Sequence, residues 1–183
     1  MAKVILVTGA ARSGKSEWAE QLAADSDKSV IYVATAHENF ADPEWQARIE
    51  KHRSRRPSTW QMRSIPVSLK DAIVDSTDQN CLLIDSLGTW LANLLDQSDQ
   101  EWQETLEHLL QSFNQTESLI IFVAEETGWG VVPAYAIGRL FRDRLGNLTR
   151  EIGAIADTVY LVTGGHALDL SQLGTPLKRR DSA

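Results

Sequence analysis

The chain has 183 residues, of which 43% are hydrophobic and 23% are charged, so it is long enough and apolar enough for one globular domain with a sizeable core. Its formal net charge of −7 argues against a broad nucleic-acid-binding face, which needs clustered positive charge. Cys81 is the only cysteine, which excludes an intrachain disulfide, and no apolar run approaches the ~20 residues of a membrane span. Without a signal-peptide pattern, these features predict a cytoplasmic protein.

The first predicted elements are a short buried strand at residues 3–8 and a helix at residues 16–24, and the loop between them matches G-x-x-x-x-G-K-[ST]. Backbone N–H groups in such a loop, together with the helix N-terminus, can surround a phosphate. Lys15 would reach the β- and γ-phosphates, and the Ser16 hydroxyl would ligate Mg²⁺. The predicted phosphate-binding residues are Gly9, Ala10, Ala11, Arg12, Ser13, Gly14, Lys15 and Ser16.

Apolar runs and helix-like segments alternate along the rest of the chain. Further strands are predicted at residues 29–34, 81–85, 119–124 and 158–163, with a sixth short strand possible at 59–63. Helices are predicted at residues 42–55, 66–75, 86–95, 99–115 and 133–156, the last with a possible break at Gly146-Asn147. This alternation predicts a single α/β domain over residues 1–183, with a mostly parallel sheet flanked by helices as in P-loop NTPases, and a mobile polar tail from about residue 166.

Acidic side chains follow two of the predicted strands. Asp85 ends the third strand, where a carboxylate can hold Mg²⁺ across from Ser16 or cap the next helix, and the two roles are compatible. Glu125 and Glu126 end the fourth strand at the same edge, where ligands bind in open α/β sheets. A solvated loop pair is an equally good interpretation of these two glutamates.

Residues 48–56 carry five basic side chains and a histidine within an acidic chain. Such a run is usually a solvated helix face, but arginine forks also suit a polyphosphate ligand. Helical spacing puts His52 on the side of Trp45 and Ile49, so spacing alone favours a packed histidine over a catalytic one.

Three stretches resemble the bifunctional adenosylcobinamide kinase/adenosylcobinamide-phosphate guanylyltransferase family of cobalamin assembly, over residues 4 to about 165. The first is T-G-A-A-R-S-G-K-S at residues 8–16. The second and most specific is A-R-I-x-x-H-x-x-x-R-P-x-x-W at residues 47–60. The third is E-x-G-x-G-V-V-P at residues 126–133, followed by Arg139 and Phe141-Arg142-Asp143.

The resemblance implies two activities on the substrates ATP, GTP and adenosylcobinamide. A nucleoside triphosphate phosphorylates the aminopropanol hydroxyl of adenosylcobinamide, with Lys15 meeting the transferred phosphate. GTP then guanylylates His52, and GMP passes on to give adenosylcobinamide-GDP. It also implies a homotrimer and Mg²⁺ as cofactor, with Ser16 and Asp85 as its ligands. Beyond the phosphate loop, the implied nucleotide contacts are Ala34, Thr35, Ala36, Arg53, Ser54, Arg55, Arg56 and Asp85.

Several positions depart from the family pattern. Ala10 replaces a glycine, Asp85 stands where some members have glutamate, Ser64 replaces a GTP-contacting glutamate, Glu125 replaces an asparagine, and Thr149-Arg150 replaces Asn-Gln. They leave the nucleotide preference and the balance of the two activities open.

Three other functions remain open. A P-loop kinase with a single activity would use the loop and Asp85 while His52 packs. A GTPase switch would use D-x-x-G at residues 85–88, but the chain has no N-K-x-D element. A nucleotide-gated interaction protein would leave the arginine-histidine cluster without a role.

Overall fold

The computed structural model describes residues 1–37 and 56–177, and its strands form one seven-stranded sheet. The strands are β1 (Lys3–Gly9), β2 (Ser29–Ala34), β3 (Gln61–Ser64), β4 (Asn80–Asp85), β5 (Leu119–Glu125), β6 (Thr158–Thr163) and β7 (His166–Asp169). Their order across the sheet is β3-β2-β4-β5-β1-β6-β7. Every pairing is parallel except that of β6 with β7. The predicted α/β fold with a mostly parallel sheet is therefore confirmed.

Both faces of the central strands are buried, as continuous apolar runs predict. Val4 and Leu6 of β1 face one core layer, and Ile5 and Val7 face the other. Cys81 at the start of β4 is fully buried, where a free thiol acts as a small apolar side chain. The sheet thus has two hydrophobic layers, and its polar chemistry is confined to the ends of the strands.

The helices are α1 (Lys15–Ala24), α2 (Leu69–Val74), α3 (Leu87–Ala92), α4 (Asp99–Ser112), α5 (Ala136–Gly153) and α6 (Leu170–Leu173), with a 3-10 turn at Phe113–Gln115. A capping box begins α4, in which Ser98 and Glu101 bond each other's backbone N–H groups. One apolar stripe along α4 and the turn after it is buried throughout; its members are Trp102, Leu106, Leu109, Leu110 and Phe113.

Some predicted boundaries are corrected. Helix α2 begins at Leu69 rather than at 66, and α5 begins at Ala136 rather than at 133, because a proline near each start (Pro66, Pro133) precedes the first hydrogen-bonded turn. The break considered at Gly146-Asn147 does not occur. Gly146 is exposed, and a glycine there costs the helix only about 1 kcal/mol. The short strand predicted at 59–63 lies at Gln61–Ser64.

The expected polar tail from about residue 166 is wrong for residues 166–173. There β7 pairs antiparallel with β6, with Thr163 opposite His166, and α6 follows. Gly164 and Gly165 form the two-residue turn with φ values of 56° and 77°. Two successive glycines between alternating residues are a hairpin signal, because this turn needs positive φ at both positions.

The predicted helix at 42–55 and the last part of the expected tail, from residue 178, fall outside the described residues. Within the described ranges, no helix combines the length and the apolar character that crossing a bilayer requires.

Candidate active site

The loop between β1 and α1 has the geometry of a phosphate-binding loop. Gly14 adopts φ +94° directly before the first residue of α1, a conformation that side chains disfavour, and Arg12 adopts φ 60°. The Ser13 N–H donates to the Ala10 carbonyl oxygen at 3.2 Å, which closes the turn. The Ser13 hydroxyl is buried and has no hydrogen-bond partner in the described part of the chain. The loop therefore presents unused polar groups at a helix N-terminus.

Gly9 is required here by close approach rather than by an unusual φ. A Cβ atom at Gly9 would lie 2.5 Å from the carbonyl oxygen of Val162 in β6 and 2.6 Å from Ser13 Oγ. Glycine at this position therefore lets the loop pack against the backbone of the neighbouring strand.

Lys15 lies where the motif predicts, at the first position of α1. Its side chain folds over the loop, and Nζ donates to the Ala10 carbonyl oxygen at 3.2 Å. The residue is only 9% exposed, so the ammonium is already desolvated next to the loop. A cation in this position can meet phosphate oxygens with little loss of hydration.

Asp85 ends β4 and faces the start of α1. Tyr32 Oη donates to Asp85 Oδ2 at 3.2 Å, and the Ser16 hydroxyl lies near the same carboxylate. Burial raises the pKa of Asp85, while the hydrogen bond from Ser16 and the charge of Arg56 act in the opposite direction. Asp85 is thus held at the end of β4 by Tyr32 of β2, next to the start of α1.

This pair suits a magnesium ion. A carboxylate and a hydroxyl lie close to each other here, and both are oxygen ligands of the kind Mg²⁺ prefers. In nucleotide sites Mg²⁺ takes only one or two protein ligands and completes its shell with phosphate oxygens and water. Ser16 and Asp85 therefore fit the predicted metal role, which stays a prediction.

Thr35, which follows β2, is held in place by hydrogen bonds to two other residues of the chain. Thr35 is fully buried; its Oγ1 donates to the Ser86 carbonyl oxygen at 2.8 Å and accepts from the Ser86 N–H at 3.0 Å. Its own carbonyl oxygen accepts from Asn93 Nδ2 at 2.7 Å. The Thr35 hydroxyl is thus engaged with the start of α3. Nucleotide contacts by Ala34, Thr35 and Ala36 stay predictions.

The two glutamates after β5 have different partners. Glu125 accepts from the Ser86 hydroxyl and, through Oε2, from the Gly88 N–H at 3.0 Å, so it caps the start of α3. Glu126 Oε1 accepts from Thr8 Oγ1 at 2.7 Å. Neither is the solvated loop residue considered from the sequence, because each carboxylate is bonded to a neighbouring segment.

Arg56 is the one member of the basic cluster at 48–56 that the structure describes. Its Nε donates to Glu20 Oε1 at 2.8 Å, and its guanidinium carbon lies 3.4 Å from the centroid of the Tyr32 ring. The side chain is 5% exposed, and no described residue accepts a hydrogen bond from its buried Nη2. Its predicted nucleotide contact remains untested. The predicted site residues His52, Arg53, Ser54 and Arg55 lie outside the described residues.

Sequence reasoning did not select Tyr32 as a site residue. The residue is buried in β2, where its hydroxyl bonds Asp85 and its ring supports Arg56. Burial, followed by the charge of Asp85, raises the pKa of Tyr32 well above its ordinary value, so the hydroxyl keeps its proton. A tyrosine within the apolar run Val30–Val33 was the available signal, because a buried phenol needs a polar partner.

The third stretch of the family pattern, residues 126–133, follows β5 at the same edge of the sheet. After Glu126, the loop leading to α5 exposes several large side chains: Trp129, Val131, Val132 and Tyr135. An open groove of about 530 Å³ lies beside it, lined by Gly128, Arg142, Asp143, Gly146, Asn147 and Arg150. The departure at Thr149 is accommodated within α5, where its hydroxyl donates to the Leu145 carbonyl oxygen at 3.0 Å.

Solved structures support the fold. An ATPase of the type III secretion system of pathogenic bacteria superposes with a TM-score of 0.54 at 10% identity, covering 93% of this chain and 53% of the ATPase. A protein of Pyrococcus horikoshii OT3 also gives a TM-score of 0.54, at 8% identity, over 92% of this chain and 85% of that one. At these identities the likeness concerns the fold alone.

The relatives found by sequence comparison are much more similar to this chain than these solved structures are. The bifunctional adenosylcobalamin biosynthesis protein CobP of Pseudomonas aeruginosa is 38% identical over 174 residues, which cover 94% of this chain and 98% of CobP. The protein CobU of the same description is 34% identical in Escherichia coli and 32% identical in Salmonella typhimurium, each over 88% of this chain and 96% of the relative.

The sequence profile of the family described as "Cobinamide kinase / cobinamide phosphate guanyltransferase" matches residues 5–170. That range includes the phosphate loop, Asp85 and the glutamates at the end of β5, together with the basic segment and the whole β6–β7 hairpin. With nearly the whole chain matched and relatives above 30% identity, the chain belongs to the cobinamide kinase/cobinamide phosphate guanyltransferase family.

Proposed function

We propose that this protein phosphorylates adenosylcobinamide and then transfers GMP from GTP to the product, giving adenosylcobinamide-GDP. The observation that carries the proposal is the Ser16–Asp85 pair beside the phosphate loop, in a chain that belongs to this family. The pair and the desolvated Lys15 are the parts that a phosphoryl-transfer site needs.

In the kinase step, the loop N–H groups and Lys15 bind the phosphates of the nucleotide. The aminopropanol hydroxyl attacks the γ-phosphorus, the bond to the β,γ-bridging oxygen breaks, and the nucleoside diphosphate leaves while the hydroxyl proton passes to solvent. Lys15 stabilises the charge that develops on the transferred phosphoryl group. A bound Mg²⁺ would be held by Ser16 and Asp85 and would neutralise charge on the phosphate oxygens.

In the guanylyl step, the neutral His52 imidazole attacks the α-phosphorus of GTP and pyrophosphate leaves. A phosphate oxygen of the phosphorylated cobinamide then attacks the same phosphorus and displaces the imidazole. Histidine suits this role because its ordinary pKa of about 6.5 leaves it a nucleophile at neutral pH. Arg53, Arg55 and Arg56 would neutralise the departing pyrophosphate. Support for His52 comes from the match of residues 47–60 to the family pattern.

The test of this second step is covalent labelling with GTP that carries radioactive phosphorus at the α position. We expect label on the protein that is lost in acid and kept in base, as for a phosphoramidate. His52→Asn should abolish it, whereas His108→Asn, on the exposed face of α4, should leave it unchanged. Label retained in His52→Asn would place the nucleophile elsewhere. Absence of label on every protein tested, including the parent, would mean that the protein has the kinase activity alone.

A GTPase switch fits the structure less well. In D-x-x-G switches the glycine N–H contacts the γ-phosphate, but here the Gly88 N–H already donates to Glu125. A switch would hydrolyse GTP with or without cobinamide. We therefore expect nucleotide turnover to depend on added adenosylcobinamide, and equal turnover in its absence would contradict the proposed function.

The proposal also includes a homotrimer in the cytoplasm, where ATP and GTP are supplied. The exposed apolar side chains between β5 and α5 give such an assembly a surface to bury. Light scattering coupled to gel filtration should give three times the mass of one chain, and a monomer mass at micromolar concentration would exclude the trimer. A reporter fusion that reads out compartment would test the location.

A further inference from the structure

Tyr32 and Asp85 are diagonal neighbours across two parallel strands. Tyr32 lies opposite Leu83 and Ala34 lies opposite Asp85, so the two side chains share the face of the sheet that α1 covers. The Tyr32 hydroxyl donates to Oδ2 of Asp85 at 3.2 Å. This leaves Oδ1 of the carboxylate unclaimed by the tyrosine.

The ring of Tyr32 is held in place on its other side. Arg56 lies with its guanidinium carbon 3.4 Å from the ring centroid, and its Nε is paired with Glu20 of α1 at 2.8 Å. Tyr32 itself is 6% exposed. Core packing and the stacked guanidinium together fix the ring, so the direction of its hydroxyl is set before any nucleotide binds.

A carboxylate that ends a strand can rotate about its last side-chain bonds. With one oxygen bonded by a fixed phenol, Asp85 loses that freedom and keeps a single orientation toward Ser16. Groups that orient a ligand in this way commonly set metal affinity, and their loss costs about tenfold to a hundredfold.

We propose that Tyr32 is a positioning residue for the metal-dependent step: it holds the Asp85 carboxylate in the orientation that receives the metal of a bound metal–nucleotide complex. The inference rests on the proposed function only in taking Asp85 as the carboxylate that faces this metal. Tyr32 touches neither nucleotide nor substrate in this role and acts through Asp85.

The test is equilibrium binding of GTP to Tyr32→Phe, with Mg²⁺ and again with EDTA. Phenylalanine keeps the ring under Arg56 and removes only the hydroxyl. We expect the Kd with EDTA to stay within about twofold of the parent value. The tightening that Mg²⁺ produces should fall about tenfold, the lower end of the range for such partners. An unchanged tightening by Mg²⁺ would overturn the proposal.

Tyr160→Phe is the matched control. Tyr160 lies in β6 and packs edge-on against Trp18 of α1, with ring centroids 5.5 Å apart, but it lies away from Asp85 on the sheet. We expect this variant to bind GTP like the parent under both conditions. A loss equal to that of Tyr32→Phe would show a general effect of the phenols around α1 and would overturn the specific role.

A double-mutant cycle with Asp85→Asn asks whether Tyr32 acts through the carboxylate. In the Asp85→Asn background, Tyr32→Phe should change the effect of Mg²⁺ on the Kd for GTP by less than about twofold. A full further loss would overturn the proposal, because it would show that Tyr32 acts by another route. Failure of the proposed function appears differently, as absence of cobinamide products with normal Mg²⁺-dependent GTP binding.

Discussion

Glu125 at the end of β5 accepts a hydrogen bond from the backbone N–H of Gly88, at 3.0 Å, and this bond joins the strand to the first turn of α3. The same carboxylate accepts from the Ser86 hydroxyl. An anion at a helix N-terminus satisfies N–H groups that lack partners within the helix and interacts favourably with the helix dipole.

Glu125→Ala should destabilise the fold by about 2 kcal/mol, because it leaves the partly buried Ser86 and Gly88 donors without their acceptor. Urea unfolding followed by tryptophan fluorescence measures this loss. Glu117→Ala, an exposed glutamate before β5, should change the free energy of unfolding by less than about 0.5 kcal/mol. Equal effects of the two substitutions would show that Glu125 is not a cap.

Gly88→Ala tests how closely the two groups approach. An added Cβ would lie 2.8 Å from Cδ of Glu125, so the carboxylate or the helix must move. We expect a loss of about 1–3 kcal/mol, even though alanine favours helices. Gly146→Ala lies in α5, where no described atom outside the helix's own backbone is within 4 Å of the added Cβ, and it should instead stabilise by up to about 1 kcal/mol. A neutral Gly88→Ala would contradict the close contact.

Lys15→Ala should lower phosphoryl transfer by about a hundredfold or more, because a preorganised charge at the transferred phosphate is lost. The fold should persist, since among the described residues its ammonium bonds one loop carbonyl, that of Ala10. Kinase assays and thermal unfolding measure the two effects. Lys70→Ala, whose side chain is half exposed on α2, is the control and should keep parent rates. Parent rates in Lys15→Ala would refute the phosphate site.

Arg144 and Asp99 form an ion pair in which one side chain is buried and the other is exposed. Arg144 Nη2 donates to the Gln97 carbonyl oxygen and to Asp99, and its guanidinium lies over the Trp102 ring. The arginine side chain is 7% exposed, whereas that of Asp99 is 93% exposed.

Arg144→Ala should therefore cost about 2–3 kcal/mol through lost packing and an unpaired Gln97 carbonyl. Asp99→Ala should cost less than about 1 kcal/mol, because an exposed partner is screened by solvent. Denaturant unfolding of the two variants side by side measures the difference. A larger cost for Asp99→Ala would show that the charge pair, not the packing, holds α5 against the start of α4.

Stability should fall at alkaline pH partly through Cys81. Burial raises the pKa of its thiol from 9.0 to about 11, while a hydrogen bond with Ser26 and the charge of Lys28 act in the opposite direction. The folded state thus holds the thiol proton more tightly than the unfolded chain does. This contribution is intact below pH of about 9 and is lost between about 9 and 11, at about 1.4 kcal/mol per pH unit.

Urea unfolding at several values between pH 7 and pH 10.5 measures this slope. Cys81→Ala will be less stable at every pH because it leaves a small cavity, but its stability should fall less steeply above pH 9 than that of the parent. Parallel curves for the two proteins would exclude the thiol as the cause.

Six of the seven described strands, the phosphate loop and the apolar pattern of α4 could be read from the amino-acid sequence alone. These features depend on local patterns: continuous apolar runs, a glycine-lysine-serine turn and a helical repeat from Trp102 to Phe113. It also placed Asp85 at the correct edge, because the end of a parallel strand is fixed once the strand is known. The Gly164-Gly165 hairpin was equally local, and the prediction of a polar tail overlooked it.

Which distant side chains meet depends on the three-dimensional arrangement of the strands. Tyr32 and Asp85 are 53 positions apart, and Ser86 and Glu125 are 39 apart, so no local pattern links either pair. Strand order and register bring them together, because β2, β4 and β5 are neighbours in the sheet and end at the same edge. The sequence alone does not distinguish the roles of such hydrogen-bonding side chains. At this edge of the sheet their roles differ, because each buried group must find a partner within about 3 Å.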